Sequence, residues 1–340
     1  MIIIYRKSEN YIKILLLISI LGVYYQQINL FCTILIERKK KMSKVISASI
    51  TPLKNDGSID KQGVKNVFDR NIKHGLDGAF ILGTMGEWGG LSDKVKEEYV
   101  ETACEATKGS GFELLVGVNA TCLPLSLETM KNYSKYEFDS YVFMPPGKTS
   151  WLDPIKAILT VCDKADRPVY YYHCPPNNGV NLSLADFEKI MRHPNLKGIK
   201  NSASNMWLRR ELIFMKKELG LKTLILEGQE WAVDEAMMAG YDGMVCGCGA
   251  LCSKPMVGIA RAIERGDYAE AVRLQNVLIE IYHSIYGIGL DHIWTGTKYA
   301  LVKLGLIDSY YTSAQEMDSL NDAHKKQIDE CLIKFKAELD

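Results

Sequence analysis

Two lysines lie three residues apart in the segment NLKGIKNSAS, which runs from Asn195 to Ser204. Side chains alternate across a β-strand, so this apolar segment predicts that Lys197 and Lys200 point to opposite faces. Lys197 can then reach solvent while Lys200, at the end of the strand, is directed inward. An amine removed from water has a lowered pKa and can attack a carbonyl carbon. The competing interpretation is an edge-strand lysine whose ammonium group snorkels to water.

Two other predicted strands also end in groups that could do chemistry. In YYYHCPP, alternation places Tyr170 and Tyr172 on one face of the strand and Tyr171 on the other. The glycine-rich loop GTMGEWGGLS leads into a helix, and it presents backbone N–H groups and the Thr84 hydroxyl to an anion. An amine, a phenol and an anion-binding loop at three strand ends indicate one common active site.

The elements that must position these groups follow a repeating βα pattern that begins after Met42. Segments with helical periodicity, such as KQGVKNVFDRNIKH, separate short β-branched or aromatic runs. Eight predicted strands result: VISASI, GAFILG, ELLVGV, SYVFMP, PVYYYHC, KGIKNS, TLILEG and GMVCG. Each βα unit takes roughly 20 to 35 residues, which fits a (β/α)8 TIM barrel with its active site at the C-terminal ends of the strands. An open doubly wound sheet is disfavoured because no G-x-G-x-x-G motif follows the first strand.

The pattern divides the chain into three parts. We expect the (β/α)8 barrel over residues 42–266 and a C-terminal helical extension of three helices, a cap or an oligomerisation element, over residues 267–340. Residues 1–41 differ, because residues 14–36 carry no charge and a basic run follows. That stretch is long enough for a bilayer, but we favour translation from Met42, with a membrane anchor or a signal peptide as the alternatives.

Composition excludes several classes of partner. Hydrophobic residues make up 47% of the 340 residues, and 41 basic residues balance 41 acidic ones. This is an ordinary globular composition without the basic surplus that nucleic-acid binding requires. The nine cysteines are scattered and odd in number, which favours reduced thiols in a cytoplasmic protein. Cys246, Cys248 and Cys252 have no second Cys/His pair at zinc-ligand spacing, so we expect neither a metal nor a cofactor.

From Val45 to Leu306 the chain resembles the dihydrodipicolinate synthase and N-acetylneuraminate lyase family of pyruvate-dependent class I aldolases. The resemblance lies in TPLKNDGSID, GTMGE, YYYHCP, GIKNS and KYALVKLGL. It implies that Lys200 is the Schiff-base lysine and Tyr172 the proton-shuttling phenol. It also implies that Thr84 and the backbone of Met85 hold the carboxylate of pyruvate, and that the protein is a homo-oligomer, commonly a tetramer.

Departures from the family pattern bear on the second substrate. The synthases of the family carry an arginine where this chain has Asn177, and tyrosines where it has Pro146 and Gly147. A bidentate partner for a carboxylate is therefore missing, and a three-hydroxyl relay is incomplete. Both losses argue against dihydrodipicolinate synthesis, which stays as the alternative enzyme function.

The motif YYYHCP is more similar to the sialic acid lyases, whose hydroxyl-rich substrates are held by residues after the seventh strand. Gly228 and Glu230, with the glutamine between them, supply polar groups suited to a polyol. Two positions depart from the lyases, because Gly247 replaces a serine and Met85 replaces a hydroxyl-bearing residue. We therefore expect a Schiff-base aldolase that cleaves or condenses a 2-keto-3-deoxy sugar acid, such as N-acetylneuraminate, to or from pyruvate and an aldehyde. A non-catalytic protein that binds keto acids is the alternative from another class.

Overall fold

Eight parallel strands close into a barrel in the computed structural model, which describes residues 42–147, 153–313 and 320–340. Each strand pairs with the next along the chain, and the barrel closes where Lys44 of the first strand lies opposite Gly243 of the last. The strands are β1 (Lys44–Ala48), β2 (Gly78–Ile81), β3 (Glu113–Gly117), β4 (Ser140–Phe143), β5 (Val169–His173), β6 (Leu196–Asn201), β7 (Leu224–Glu227) and β8 (Gly243–Cys246). The predicted TIM barrel is confirmed. The predictions for residues 1–41 lie outside the described residues.

Helices follow the strands and cover the outside of the barrel. They are α1 (Lys61–Lys73), α2 (Asp93–Thr107), α3 (Leu123–Tyr133), α4 (Pro154–Lys164), α5 (Leu184–Met191), α6 (Met206–Glu218), α7 (Val233–Ala239) and α8 (Gly249–Arg265). Short turns at Pro175–Asn178 and Glu230–Ala232 follow β5 and β7. Ser92 and Ser183 cap α2 and α5 by accepting backbone N–H bonds, which stabilises each helix start.

Strand alternation divides the core into an inner and an outer layer. Tyr172 faces the barrel lumen and meets the ring of Phe80 edge to face, with the ring centroids 6.0 Å apart. Tyr171 faces the helices, where it packs near Phe187 and shares a 2.9 Å hydrogen bond with Nδ1 of His173. The predicted orientations of the tyrosines in β5 are therefore confirmed.

The two lysines of β6 occupy opposite ends of the barrel. Lys200 lies at the C-terminal end, whereas the Lys197 ammonium group binds Oε1 of Glu113 at 2.6 Å, near the N-terminal end of β3. The pairing of β5 with β6 shifts register beside Lys197. The predicted solvent access of Lys197 is confirmed, since 34% of its side chain is exposed. Its ammonium group, however, lies 5.7 Å from the ring centroid of the inward-facing Tyr170, so the prediction that the two lysines point to opposite faces is wrong. The register shift breaks strict alternation, and the buried Glu113 supplies a partner within reach.

The C-terminal region adds α9 (Tyr268–Tyr286), α10 (Ile293–Lys303), α11 (Asp322–Lys334) and a short turn at Lys336–Leu339. Helix α9 packs extensively on α8, and α10 reaches the loop after β2. Gly266, with a φ of 77°, ends α8 in the left-handed conformation that glycine tolerates best. Within the described residues, no helix has the length and apolar character needed to cross a bilayer.

Candidate active site

Lys200 is the group around which the site is built. It ends in the barrel lumen with only 5% of its surface exposed. Its Nζ lies 4.3 Å from the centroid of the Tyr172 ring and 5.2 Å from that of Phe80. Burial lowers the pKa of Lys200, and the nearby charge of Glu230 partly opposes this. The site therefore favours a neutral, nucleophilic amine more than water does.

Tyr172 places its phenol beside the amine. Its OH is 3.5 Å from Oγ1 of Thr84, at the start of the loop that follows β2. Burial raises the pKa of Tyr172, while the hydrogen bond with the Thr84 hydroxyl lowers it. The phenol is therefore protonated at neutral pH, and it is available as a proton donor close to Lys200.

An ion pair and hydrogen bonds from the C-terminal region fix the glycine-rich loop. Glu87 has a left-handed φ of 57°, and its fully buried carboxylate forms an ion pair with Lys298 of α10. The same carboxylate accepts a 2.7 Å hydrogen bond from the backbone N–H of Ser313. Trp294 donates from Nε1 to the carbonyl oxygen of Thr84 at 3.0 Å. Glu87 therefore anchors the glycine-rich loop to the C-terminal region.

A close backbone approach at β7 leaves room for Lys200. A Cβ atom on Gly228 would lie 2.1 Å from Oγ of Ser202 and 3.0 Å from Cε of Lys200. Only glycine permits this contact. The buried hydroxyl of Ser202 thus lies next to the amine-bearing side chain, two residues further along the chain.

Glu230 brings a buried carboxylate to the same rim. Its Oε1 accepts hydrogen bonds from the backbone N–H groups of Gly247 and Cys248, the latter at 3.2 Å. Its backbone carbonyl accepts a 2.7 Å bond from Gln275 of α9. Burial raises the pKa of Glu230, and the charge of Lys200 acts in the opposite sense. The carboxylate is therefore fixed in place as a hydrogen-bond acceptor near the amine.

Met85 and Gly247 form a matched pair. A Cβ atom on Gly247 would lie 2.7 Å from Cγ of Met85 and 2.9 Å from Oε1 of Glu230. The buried Met85 side chain therefore fills the space that a side chain at position 247 would need. The two departures from the lyase pattern are thus one compensated change, which replaces hydroxyl groups by a thioether.

The structure brings all seven predicted site residues to the C-terminal rim of the barrel. One set of contacts joins Lys200, Tyr172, Thr84 and Gly228, and a second joins Met85, Glu230 and Gly247. Their chemical roles remain predictions. In residues 42–147, 153–313 and 320–340, no group of three or more His, Cys, Asp or Glu side chains is arranged to hold a metal ion.

Three residues that surround the site were not predicted from the sequence as parts of it. Ser202 could have been found, because it lies two residues from Lys200 in the predicted strand KGIKNS. Asn177 donates from Nδ2 to Oγ1 of Thr84 at 2.8 Å, and the sequence shows it only as a missing arginine. Trp294 lies 210 residues from Thr84 in the chain, and no local pattern predicts that contact.

Comparison with known proteins identifies relatives across most of the chain. Residues 41–334 match the dihydrodipicolinate synthetase family. An uncharacterised DapA-like lyase of Rhizobium meliloti is 24% identical over 262 residues, which cover 77% of this chain and 86% of the relative. The 4-hydroxy-tetrahydrodipicolinate synthase of Helicobacter pylori strain J99 is 25% identical over 249 residues, covering 71% and 82%.

Solved structures share the fold. Dihydrodipicolinate synthase from Bacteroides thetaiotaomicron superimposes with a TM-score of 0.79 at 26% identity, covering 86% of this chain and 98% of that one. YagE, a prophage protein of the same family from E. coli K12, was solved in complex with pyruvate. It gives a TM-score of 0.79 at 23% identity, with coverage of 86% and 98%.

Proposed function

The chain belongs to the dihydrodipicolinate synthetase family of class I carbon–carbon lyases, and we propose that it cleaves or condenses a 2-keto-3-deoxy sugar acid through a Schiff base on Lys200. N-acetylneuraminate is one such acid. The observation that carries the proposal is the buried Lys200 amine, 4.3 Å from the Tyr172 ring, with the Tyr172 hydroxyl 3.5 Å from Thr84.

The first half of the reaction builds an electron sink. The neutral amine of Lys200 attacks the keto carbon and forms a carbinolamine. Tyr172 donates a proton to the departing hydroxyl, water leaves, and a C=N⁺ iminium remains. The backbone N–H groups of Thr84 and Met85 bind the adjacent carboxylate. Pyruvate, which was bound in the YagE structure, is the keto acid that we propose for this position.

The second half breaks the carbon–carbon bond. Tyr172, now a phenolate, accepts the proton of the C4 hydroxyl while the C3–C4 electron pair moves into the iminium. An aldehyde and an enamine result. Protonation of the enamine at C3 and hydrolysis of the C=N⁺ bond then release pyruvate and restore the amine. Condensation runs through the same steps in reverse.

The polar groups around the aldehyde portion of the substrate favour a hydroxyl-rich substrate. The carboxylate of Glu230 and the hydroxyl of Ser202 both lie near Lys200. A substrate hydroxyl can donate a hydrogen bond to the carboxylate, and it can donate to or accept from the Ser202 hydroxyl. Asn177, at the position of the synthases' arginine, is neutral and its amide donates to Thr84. The alternative is 4-hydroxy-tetrahydrodipicolinate synthase, which is favoured by the names of several curated relatives.

Borohydride trapping tests the chemistry without knowledge of the aldehyde. Incubation with pyruvate and borohydride should add a stable reduced pyruvyl group to Lys200, located by peptide mapping. Lys200→Arg should abolish the adduct, while Lys197→Arg, a matched change in the same strand, should retain it. Absence of an adduct at Lys200 in the wild-type protein would refute the mechanism.

A substrate panel then tests the choice of aldehyde. Pyruvate release from 2-keto-3-deoxy sugar acids, without condensation of pyruvate and aspartate semialdehyde, supports the proposal. The opposite result would identify the synthase instead. Adduct formation with no turnover of any panel member would support the non-catalytic alternative.

A further inference from the structure

We propose that Asn177 is a positioning residue that directs the Thr84 hydroxyl towards Tyr172, an inference that rests on the proposed Schiff-base function. Asn177 Nδ2 lies 2.8 Å from Oγ1 of Thr84, and the same oxygen lies 3.5 Å from the Tyr172 hydroxyl. Three side chains from two loops and a strand thus form a row that ends above Lys200.

The donors and acceptors of this row have one consistent direction when Tyr172 is a phenolate, which can only accept a hydrogen bond. An amide nitrogen only donates, and a threonine hydroxyl has a single proton. When Thr84 accepts from Asn177, its own proton stays available for the Tyr172 oxygen. A hydrogen bond donated to that oxygen stabilises the phenolate that forms when Tyr172 gives up its proton.

The amide also ends the row chemically. A side-chain amide neither accepts nor releases a proton near neutral pH, so no proton can pass beyond Thr84 towards Asn177. Tyr172 must therefore exchange its proton with the substrate or with water in the site. In place of the three-hydroxyl relay that the sequence shows as incomplete, Asn177 and Thr84 adjust the pKa of the Tyr172 phenol.

Backbone geometry holds Asn177 over the loop. The turn Pro175–Asn178 begins with two prolines, whose φ angles are fixed by their rings. Asn178 is buried and donates to the carbonyl oxygen of Pro145 at 3.0 Å, which ties the turn to the end of β4. Gly179 closes the turn with a left-handed φ of 68°. The exposed side chain of Asn177 is thereby aimed at Thr84.

The test uses the exchange of the pyruvate methyl protons in D2O, followed by NMR. This half-reaction passes through the enamine and needs no aldehyde. Asn177→Ala should slow exchange roughly two- to tenfold, the range expected for loss of one hydrogen bond. Asn177→Asp should slow it further, because a carboxylate accepts the Thr84 proton and reverses the row. In a Thr84→Val background, Asn177→Ala should cause no additional loss.

The pH profile of exchange gives a second measurement that needs no Thr84 variant. Loss of the donated hydrogen bond raises the pKa of the phenol, so the limb that reports Tyr172 should move to higher pH in Asn177→Ala. An unchanged rate and profile, or an equal loss with and without the Thr84 hydroxyl, would overturn the inference. A wild-type protein that shows neither exchange nor a borohydride adduct would instead overturn the proposed function. Circular dichroism should show that each variant is folded, since Asn177 is exposed.

Discussion

The matched pair of Met85 and Gly247 gives a quantitative prediction from packing alone. Replacing Gly247 by serine puts a Cβ atom 2.7 Å from Cγ of Met85. Carbon atoms pack best about 3.5–4.0 Å apart, so the methionine must move by roughly 1 Å or adopt another rotamer. Overpacking of this kind costs about 1–3 kcal/mol of folding free energy. The carboxylate of Glu230, 2.9 Å from the new atom, limits movement of the serine itself.

Replacing Met85 by threonine removes the side chain that a serine at position 247 would meet. Met85→Thr alone leaves space in a buried position, and we expect it to cost about 1–3 kcal/mol, which overlaps the lower part of the range for large-to-small core changes. If the two sites were independent, the double variant would lose the sum of the two effects. Because serine and threonine together refill the space, we expect a favourable coupling of about 1–3 kcal/mol, within the range for contacting residues.

Equilibrium urea denaturation of the wild type, both single variants and the double variant measures this coupling. Equal m-values across the four proteins would show that the changes act on the folded state. Additive losses, or a Gly247→Ser variant as stable as the wild type, would refute the matched-pair interpretation. Borohydride trapping of the double variant should still label the active-site lysine, because neither change touches the amine or the phenol.

Four further predictions follow from the geometry of the site. Tyr172→Phe should lower kcat by roughly 100- to 10,000-fold, as for other proton-transfer groups, whereas Tyr171→Phe, facing the helices, should leave kcat nearly unchanged. Glu230→Gln should move the pH dependence of borohydride trapping to lower pH, because the carboxylate raises the pKa of the amine. Lys298→Met should cost about 3–5 kcal/mol by removing the cationic partner of the buried Glu87 carboxylate, and Lys298→Met with Glu87→Gln should recover part of this. Light scattering should show an oligomer, and a monomer would contradict that expectation.

Local pattern predicted much of the barrel and the direction of its catalytic candidates. Period-two alternation placed Tyr172 in the lumen and Tyr171 outside, and both positions are confirmed. The same rule failed at Lys197, because a register shift beside it and the buried Glu113 changed its environment. Alternation describes a regular strand and contains no information on irregular pairing.

Contacts between distant segments could not be predicted from the sequence. Lys298 and Glu87 are more than 200 positions apart, yet they form a fully buried ion pair beneath the glycine-rich loop. Met85 and Gly247 each read as the loss of a hydroxyl, and only their contact shows that one replaces the volume of the other. Such compensation depends on which elements meet, and the fold alone determines that.

The position of Glu230 reconciles two opposite requirements on Lys200. A neutral amine must attack the keto carbon, and burial favours it, while the carboxylate favours the protonated amine. Once the iminium forms, however, it carries a positive charge, and the same carboxylate stabilises it. Removing that charge in Glu230→Gln should therefore have two opposite effects. More amine is neutral at a given pH, so attack becomes faster at low pH, but the iminium loses its counter-ion and accumulates less. A variant in which both quantities moved in the same direction would show that Glu230 acts on the substrate alone.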